Sequence, residues 1–325
     1  MAKTMEGQIL VAGSLAFDNI MSFPGYFKEH ILPEKLHMIN ISFLVDKVTK
    51  QRGGCSANIA YTLSLLGRHP RIIAAAGNDF DSYADFLEKH GVDTSAILRV
   101  EDEITATCYI TTDQSNNQIT GFYVGAMPHS KNISVKASAG PSPALLIVAP
   151  DDPEAMLRHC REAKDAGIPL IYDPSFQVTA MEGGPLLDGA LGAHAMILND
   201  YEYSVFQEKT GRTTEQLLEQ IDMLVVTLGE KGSRILRKGE TPIEVPPCVI
   251  SKAVDPTGAG DAYRGGFVAG LVSGCELAEC GRMGSVAAAY VVEKYGTQNH
   301  SYTRDEFADR YRKSFGRAPS FVATA

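Results

Sequence analysis

Short, fully apolar runs alternate along this chain with longer segments in which apolar residues recur every three or four positions. A run such as Leu-Leu-Ile-Val-Ala at 145–149 suits a strand that is buried on both faces of a sheet. This alternation is typical of an α/β fold, in which helices flank both faces of a doubly wound, mostly parallel sheet. We predict strands at 9–12, 71–75, 145–149, 169–172 and 195–198, and helices at 56–66, 83–90 and 153–166.

Two segments interrupt the alternation. Residues 39–45 and 105–124 have the pattern of extended strands with no helix between neighbours. Within the second segment, 105–112 and 118–123 flank a polar Asp-Gln-Ser-Asn-Asn turn, which indicates a β-hairpin. We expect one domain over 1–325, with lid strands inserted at about 37–47 and 104–126 above the carboxyl edge of the sheet. The alternative is that these strands are edge strands of the main sheet.

The composition narrows the classes of partner. Lys and Arg total 30 against 39 Asp and Glu, a formal net charge of −9, which disfavours nucleic acid and anionic membranes as partners. We find no signal peptide and no apolar run long enough to span a membrane. The six cysteines are scattered without a Cys-x-x-Cys pair, which favours free thiols in a reducing compartment. We therefore expect a cytoplasmic protein.

The segment Asp-Pro-Thr-Gly-Ala-Gly-Asp at 255–261 carries the strongest chemical signal. Its proline and glycines disfavour a helix before Gly258, whereas the apolar spacing after Asp261 is helical. Gly258, Ala259 and Gly260 are therefore expected at a helix N-terminus. Free backbone N–H groups and the helix dipole would form an anion hole there.

A carboxylate beside an anion hole can accept a hydrogen bond, and then a proton, from an attacking hydroxyl group. Such a base need not be strong, because phosphoryl transfer is usually loose and depends mainly on orientation of the nucleophile. Asp261 is therefore the candidate catalytic base of a small-molecule kinase. The alternative is an aspartate that only caps its helix.

Two common nucleotide-binding motifs are absent from the sequence. No Gly-x-x-x-x-Gly-Lys-Ser/Thr occurs, so the chain is not a P-loop protein. The glycine-rich segment at 258–263 lacks the third glycine of the dinucleotide fingerprint, because residue 263 is Tyr. A nicotinamide-dependent dehydrogenase is therefore disfavoured.

A second glycine-rich segment, Gly-Gly-Cys-Ser-Ala-Asn, spans 53–58. Gly53 and Gly54 precede a predicted helix and would let a ligand approach the backbone closely. Asn58 lies in the first turns of that helix and offers both a donor and an acceptor. The alternative is a tight loop before a core helix.

Together, the segments at 53–58 and 255–261 resemble the signature pair of the ribokinase-like carbohydrate kinases, also called the PfkB family. The resemblance extends from about residue 9 to about residue 310. It includes Gly-Ser-Leu-Ala-Phe-Asp at 13–18, Asn-Asp-Tyr-Glu at 199–202 and Thr-Leu-Gly-Glu-Lys-Gly at 227–232.

The resemblance implies a role for each matching residue. It implies that Asp261 is the base, with the amides of 258–260 as the anion hole. It implies a Mg²⁺-dependent enzyme that uses ATP, with Glu202 near the metal through water and Asp255 at a K⁺ position. The residues implied in ATP binding are Asn199, Glu202, Thr227, Gly229, Gly232 and Gln298. Those implied in substrate binding are Ser14 and Asp18 at the carboxyl end of the first strand, Gly53, Gly54 and Asn58.

Within that family the similarity is greatest to adenosine kinases of some bacteria. It includes Phe-Leu-Val-Asp at 43–46 and Phe-Tyr-x-Gly-Ala-Met at 122–127. In those enzymes aromatic lid residues enclose the purine from two sides. Phe122 matches one of them, and Cys108 is expected opposite it across the base.

Three functions remain open on the sequence. The first is phosphorylation of the 5′-hydroxyl of a purine ribonucleoside, with adenosine as the preferred acceptor and a role in purine salvage. The second is a sugar kinase for ribose or fructose, because the core motifs are shared. The third is a non-catalytic regulator with a kinase fold that binds a nucleoside or a sugar. Four intact residues argue against it, because a pure binder does not need them all: Asn199, Glu202, Gly260 and Asp261. A homodimer formed through the lid is expected.

Overall fold

A nine-stranded sheet forms the centre of the computed structural model, which describes residues 4–31, 38, 40–115 and 117–320. Its strand order is β13-β12-β11-β10-β9-β8-β1-β4-β5, and a second sheet has the order β3-β2-β6-β7. The described strands are β1 (Gln8–Ala12), β2 (Ala16–Ser22), β3 (Lys47–Gly53), β4 (Arg71–Gly77), β5 (Ile97–Val100), β6 (Ala106–Thr112), β7 (Gln118–Tyr123), β8 (Pro143–Val148), β9 (Leu170–Tyr172), β10 (Ala195–Asn199), β11 (Leu224–Thr227), β12 (Ser233–Leu236) and β13 (Ile243–Val245).

Helices cover both faces of the main sheet. One face packs against α2, α10, α11 and α12, and the other packs against α5, α7 and α8. The described helices are α1 (Phe27–His30), α2 (Cys55–Leu65), α3 (Asp81–Lys89), α4 (Val135–Ser138), α5 (Pro153–Asp165), α6 (Gln177–Ala180), α7 (Gly183–Ala190), α8 (Asp200–Thr210), α9 (Thr214–Leu218), α10 (Ala259–Val272), α11 (Leu277–Val292) and α12 (Arg304–Phe315). Among the described residues, no helix has the length and apolar character needed to cross a bilayer.

The main sheet is parallel from β11 to β5, and β12 and β13 add antiparallel strands at one edge. The doubly wound α/β prediction is therefore confirmed. All eight strands and helices predicted in the core are present, with ends shifted by at most two residues. Strand order reverses beside β1, which lies between β4 and β8. A switch point of this kind opens a crevice at the carboxyl ends of the strands, where open α/β sheets bind ligands.

Two glycines in α10 bring it close to its neighbours. A Cβ atom at Gly265 would lie 2.7 Å from Cβ of Thr62 in α2, and one at Gly266 would lie 2.5 Å from the backbone oxygen of Met283 in α11. No side chain fits at either position without displacing backbone. These contacts hold the start of α10 beside the start of α2, so that the two glycine-rich segments meet.

The four-stranded sheet, here called the lid, is built differently from the sequence prediction. The hairpin is present as β6 and β7, but residues 40–46 form no strand, and Ile39 lies outside the described residues. The other lid strands are β2 and β3, which run antiparallel over seven residue pairs. Residues 47–53, Lys-Val-Thr-Lys-Gln-Arg-Gly, contain one large apolar side chain, Val48, and therefore lack the apolar alternation that predicts a half-buried strand.

Candidate active site

The turn after β1 is joined to the start of α2 by Ser14. Its hydroxyl accepts a hydrogen bond from the N–H of Cys55 (3.2 Å), and its carbonyl accepts one from the N–H of Ser56 (3.2 Å). Gly54 has φ of 92°, and a Cβ there would lie 2.6 Å from the Ser14 oxygen. Ser14, predicted as a substrate ligand, thus also caps α2, and Gly54 permits the close approach of the two segments.

The glycine-rich loop at 255–261 ends at the N-terminus of α10, as predicted. Gly258 is the N-cap, with φ of 80°, a left-handed conformation that favours glycine. The N–H of Ala259 donates to the carbonyl of Pro256 (3.1 Å), so this amide is engaged in a turn. Gly260 and Asp261 follow in the first helical turn, where N–H groups have no partner within the helix. The structure therefore differs from the prediction that the Ala259 amide is a free donor.

Asp261 meets the second glycine-rich segment through Asn58, which lies 203 positions earlier in the chain. The Asn58 side-chain N–H₂ donates to Oδ2 of Asp261 over 2.8 Å. Burial raises the pKa of Asp261, while the Arg264 guanidinium and the Asn58 hydrogen bond oppose that rise. The two predicted motifs therefore form one site with a partly buried carboxylate at its centre.

The Asn-x-x-Glu motif forms a capping box at the start of α8. Asn199 Oδ1 accepts from the Glu202 N–H (2.7 Å), and Glu202 Oε2 accepts from the Asn199 N–H (2.8 Å). The Ser175 hydroxyl donates to Glu202 Oε1 (3.0 Å). Ser175 is the only described non-glycine residue with positive φ, at 41°. Such strain collects at functional sites, and here it positions the carboxylate of Glu202.

A buried ion pair that was not predicted from the sequence lies behind these residues. Arg264 contacts both carboxylate oxygens of Asp173, with Nη2 2.5 Å from Oδ1 and Nε close to Oδ2. Its Nη2 also lies 4.0 Å from Glu202 Oε2. Although burial alone would lower it, the pKa of Arg264 is raised by Asp173, Asp261 and Glu202. Two features of the sequence could have indicated this pair. Arg264 lies one helical turn after Asp261, and Asp173 directly follows an apolar strand.

The predicted nucleotide turn follows β11, beside the Asn-x-x-Glu motif. Thr227 is paired in register with Asn199 of the neighbouring strand. Gly229 has φ of 58° and open space around its Cα, whereas a Cβ at Gly232 would lie 2.0 Å from the carbonyl oxygen of Val245. Gly232 is thus required by the fold, and Gly229 leaves an open surface beside Thr227.

Gln298 is placed on the Asn58 side of the site and not beside the nucleotide turn. It is buried, and its side-chain N–H₂ donates to Asn58 Oδ1 (2.8 Å) and to the hydroxyl of Tyr83 (2.5 Å). The Tyr83 hydroxyl donates to the Gly53 carbonyl (2.8 Å). The prediction that Gln298 lines the ATP site is not matched by these contacts, because its whole donor capacity is directed at the Asn58 segment.

The carboxylate of Asp255 links the loop before α10 to the backbone at residue 296. Its Oδ1 accepts from the Thr257 N–H (2.9 Å), and its Oδ2 accepts from the Gly296 N–H (3.0 Å). Each oxygen keeps a second lone pair. The prediction of a monovalent cation at Asp255 is not tested by this geometry.

The lid presents one row of predicted substrate residues. Asp18 of β2 is paired with Cys108 of β6, which is paired with Phe122 of β7, and directly paired residues share a face. Cys108 and Phe122 are therefore neighbours on one face and do not enclose a base from opposite sides, which corrects the expected arrangement. Asp18 lies within the lid and not at the end of β1.

The carboxylate of Asp18 packs onto the backbone at Gly53, where a Cβ would lie 2.7 Å from Asp18 Oδ2. Burial and, to a lesser extent, the charge of Asp255 raise the pKa of Asp18 to about 6. At neutral pH this carboxylate is mostly ionised, so it can accept hydrogen bonds. Phe122 is half exposed and available for stacking.

No cluster of three or more His, Cys, Asp or Glu side chains suited to a metal ion occurs among the described residues. The donor set fits Mg²⁺ held mainly by phosphate oxygens and water, because Glu202 supplies a carboxylate whose oxygens each retain a lone pair. Its hydrogen bonds to Ser175 and Asn199 would orient that carboxylate as an outer ligand.

Comparison with known proteins identifies a family and several relatives. A family model described as pfkB family carbohydrate kinase matches residues 29–304. A nucleoside kinase of Methanocaldococcus jannaschii is 32% identical over 282 residues, which cover 86% of this chain and 92% of the relative. A ribokinase of Haemophilus influenzae is 28% identical over 310 residues, which cover 93% and 97%.

Solved structures of a nucleoside kinase from Burkholderia thailandensis have the same fold. The complex with inosine has a TM-score of 0.85 and 35% identity, over 96% of this chain and 99% of that chain. The ADP-inosine complex has a TM-score of 0.83 and 36% identity, over 96% and 97%. On this family match, this fold and this site, the chain belongs to the PfkB family of ribokinase-like carbohydrate kinases and is a phosphotransferase that acts on a hydroxyl group.

Proposed function

We propose that this chain transfers the γ-phosphoryl group of ATP to the 5′-hydroxyl of a purine ribonucleoside, with adenosine as the preferred acceptor and AMP as the product. The observation that carries the proposal is the row Asp18–Cys108–Phe122 on one face of the lid. Asp18 and Phe122 lie two strands apart, about 10 Å, which is of the order of a nucleoside's length. A carboxylate at one end suits the 2′,3′-diol of ribose, and an aromatic ring at the other suits a base.

Asp261 is the proposed base. Its Oδ2 accepts from Asn58, and the carboxylate keeps further lone pairs with which to accept the hydrogen bond of the attacking hydroxyl. The amides of Gly260 and Asp261 lie at the positive end of the α10 dipole, which stabilises negative charge on the transferred phosphoryl group. Orientation of the hydroxyl, rather than its early deprotonation, is the main contribution of Asp261.

The ATP site is proposed at the carboxyl ends of β10 and β11. The ADP-inosine complex of the Burkholderia kinase supports this use of a nucleotide. Thr227 lies beside Asn199, and the open surface at Gly229 admits a ligand close to the backbone. Bound Mg²⁺ would neutralise phosphate charge, and Glu202, fixed by its capping box and Ser175, would hold the ion through water.

We also propose a K⁺ position and a homodimer interface. Asp255 and its loop are proposed as the K⁺ position, since the carboxylate keeps one lone pair on each oxygen. The opposite face of the lid exposes Val48, Tyr109 and Ile119, and we propose that a homodimer forms through it.

A sugar kinase is the second candidate, because the Haemophilus ribokinase aligns along almost the whole chain. A coupled assay against adenosine, inosine, ribose and fructose separates the two. Inosine is the main competitor to adenosine, since the Burkholderia kinase was solved in complex with it. Turnover of ribose or fructose above that of both nucleosides would refute the proposed function.

Phe122→Ala should raise the KM for the nucleoside about 5- to 150-fold, since base stacking on an aromatic ring contributes about 1–3 kcal/mol. Ribose kinetics should not change, because a free sugar has no base to stack. Thr120→Ala is the matched control, as Thr120 is exposed on the same face of β7 two residues earlier. An unchanged nucleoside KM in Phe122→Ala would exclude stacking on this ring.

Glu202→Gln should raise the Mg²⁺ concentration for half-maximal rate about tenfold, the low end for loss of an outer-shell partner. Glutamine can retain the capping box with the Asn199 N–H, so the change isolates the charge. Glu208→Gln, on the exposed side of the same helix, should leave the Mg²⁺ titration unchanged. If both variants titrate like the wild type, Glu202 is only a helix cap.

A further inference from the structure

We infer that Tyr83, Gln298 and Asn58 form a hydrogen-bonded relay that holds Asp261 in position and in its ionised form during phosphoryl transfer. The relay runs from the carbonyl of Gly53 through three buried side chains to the carboxylate. It rests on the proposed role of Asp261 as the base, and it assigns to Tyr83 and Gln298 a positioning role in the reaction.

The direction of every hydrogen bond in the relay follows from its first member. The Gly53 carbonyl can only accept, so the Tyr83 hydroxyl must donate to it and can only accept from Gln298. The amide nitrogen of Gln298 must therefore face Tyr83, and its second N–H donates to Asn58 Oδ1. The amide nitrogen of Asn58 is then directed at Asp261.

The reverse orientation is unfavourable. If the Asn58 amide were turned round, its oxygen would face the carboxylate, and two acceptors would meet over 2.8 Å. An amide alone does not choose between these states, since its two ends have nearly the same shape. Gln298 and Tyr83 make the choice for Asn58, which explains why two buried residues outside the contact distance of Asp261 matter to it.

The position of Gln298 also lowers the stability of the fold. Its Oε1 is buried and has no hydrogen-bond partner among the described residues. A buried acceptor without a partner destabilises the native state, whereas an apolar side chain of the same length avoids that penalty. Gln298→Met therefore removes the relay while offsetting part of the loss in stability.

Groups outside the relay also act on the pKa of Asp261, and substitutions in the relay do not remove them. Burial is the main influence that raises its pKa, the Arg264 guanidinium and the Cys55 thiol oppose the rise, and Glu202 adds to it. Asp173 also acts on this region, through Arg264. Loss of the Asn58 hydrogen bond removes one influence that lowers the pKa of Asp261. Asp261 is then protonated over a wider range of pH, and turnover is lost first at low pH.

The test measures kcat and the KM for ATP against pH in the wild type, Gln298→Met and Tyr83→Phe. Gln298→Met should lower kcat near neutral pH about tenfold, the effect of one lost hydrogen bond, and should move the acid limb to higher pH by about one unit. Tyr83→Phe should change both in the same direction by less. The KM for ATP should stay within about twofold, since no relay residue lies beside the nucleotide turn.

Tyr61→Phe is the matched control. The Tyr61 hydroxyl is buried, lies on the same helix as Asn58 and donates to the His300 carbonyl (2.7 Å), two residues from Gln298, but has no bond to the relay. It should leave the acid limb unchanged. An equal movement in Tyr61→Phe, or none in Gln298→Met, would overturn the relay.

Failure of the nucleoside-kinase proposal can be distinguished from failure of the relay. If the wild type phosphorylates a sugar instead, the same pH profiles are measured with that sugar. A titration of the Asp261 carboxyl carbon by ¹³C NMR, assigned with Asp261→Asn, gives a readout without turnover. The relay predicts a higher pKa for Asp261 in Gln298→Met than in the wild type or Tyr61→Phe, and equal values would contradict it.

Discussion

Asp261→Asn should lower kcat about 10²- to 10⁴-fold, the usual loss for a positioned general base. The asparagine keeps the size of the side chain and can still bond Asn58, but it cannot take a proton from the attacking hydroxyl. Folding and ATP binding should be retained, because asparagine is tolerated in a first helical turn. The measurements are kcat in the coupled assay, ATP binding by calorimetry, and thermal unfolding.

The alternative role for Asp261 is to stabilise the start of α10 electrostatically. A carboxylate in a first turn contributes about 0.3–1 kcal/mol in that role. Asp305→Asn provides the comparison, since Asp305 is an exposed acid in the first turn of α12. It should leave turnover unchanged. If Asp261→Asn also retained turnover within a few-fold of wild type, Asp261 would be a helix-terminal charge and not the base.

Arg264→Met should lower the free energy of unfolding by about 3–5 kcal/mol, the effect of removing one partner from a buried ion pair. Asp173 would be left fully buried without its guanidinium partner. Methionine fills a similar volume, so the loss reports the unpaired charge more than a cavity. Denaturant unfolding at constant pH provides the measurement.

The loss should depend on pH with a definite sign. Burial raises the pKa of Asp173 to about 7 even with Arg264 present. A raised folded-state pKa means that stability is lost as pH rises through it and regained as the carboxyl group protonates. The deficit of Arg264→Met should therefore be larger at pH 8 than at pH 5.

An exposed pair gives the control for Arg264. Arg234 bonds Glu244 across β12 and β13 with both side chains about half exposed, and Arg234→Met should change stability by about 0–1 kcal/mol. The double variant Arg264→Met with Asp173→Leu should recover much of the loss, because no charge is left unpaired. A loss below about 1 kcal/mol in Arg264→Met would show that water reaches Asp173.

Features that depend on near neighbours in the chain could be predicted before the fold was known. Apolar runs and helical spacing located the core strands and helices, because burial on both faces of a parallel sheet leaves a local pattern. The glycines at 53, 54, 258 and 260 identified two helix starts with exposed backbone, and the hairpin at 105–123 followed from its turn. The family followed from these same segments, since its motifs are short and contiguous.

Which of these segments meet, and in what orientation, follows from the packing of the whole chain. Asp18 belongs to the lid and Gln298 bonds Asn58, and no local pattern records either contact. The Asp173–Arg264 pair and the link from Asn58 to Asp261 join residues 91 and 203 positions apart. Such contacts are set by how helices and strands pack, through glycines that allow close approach and buried polar groups that must find partners. Chain distance therefore carries no information about them.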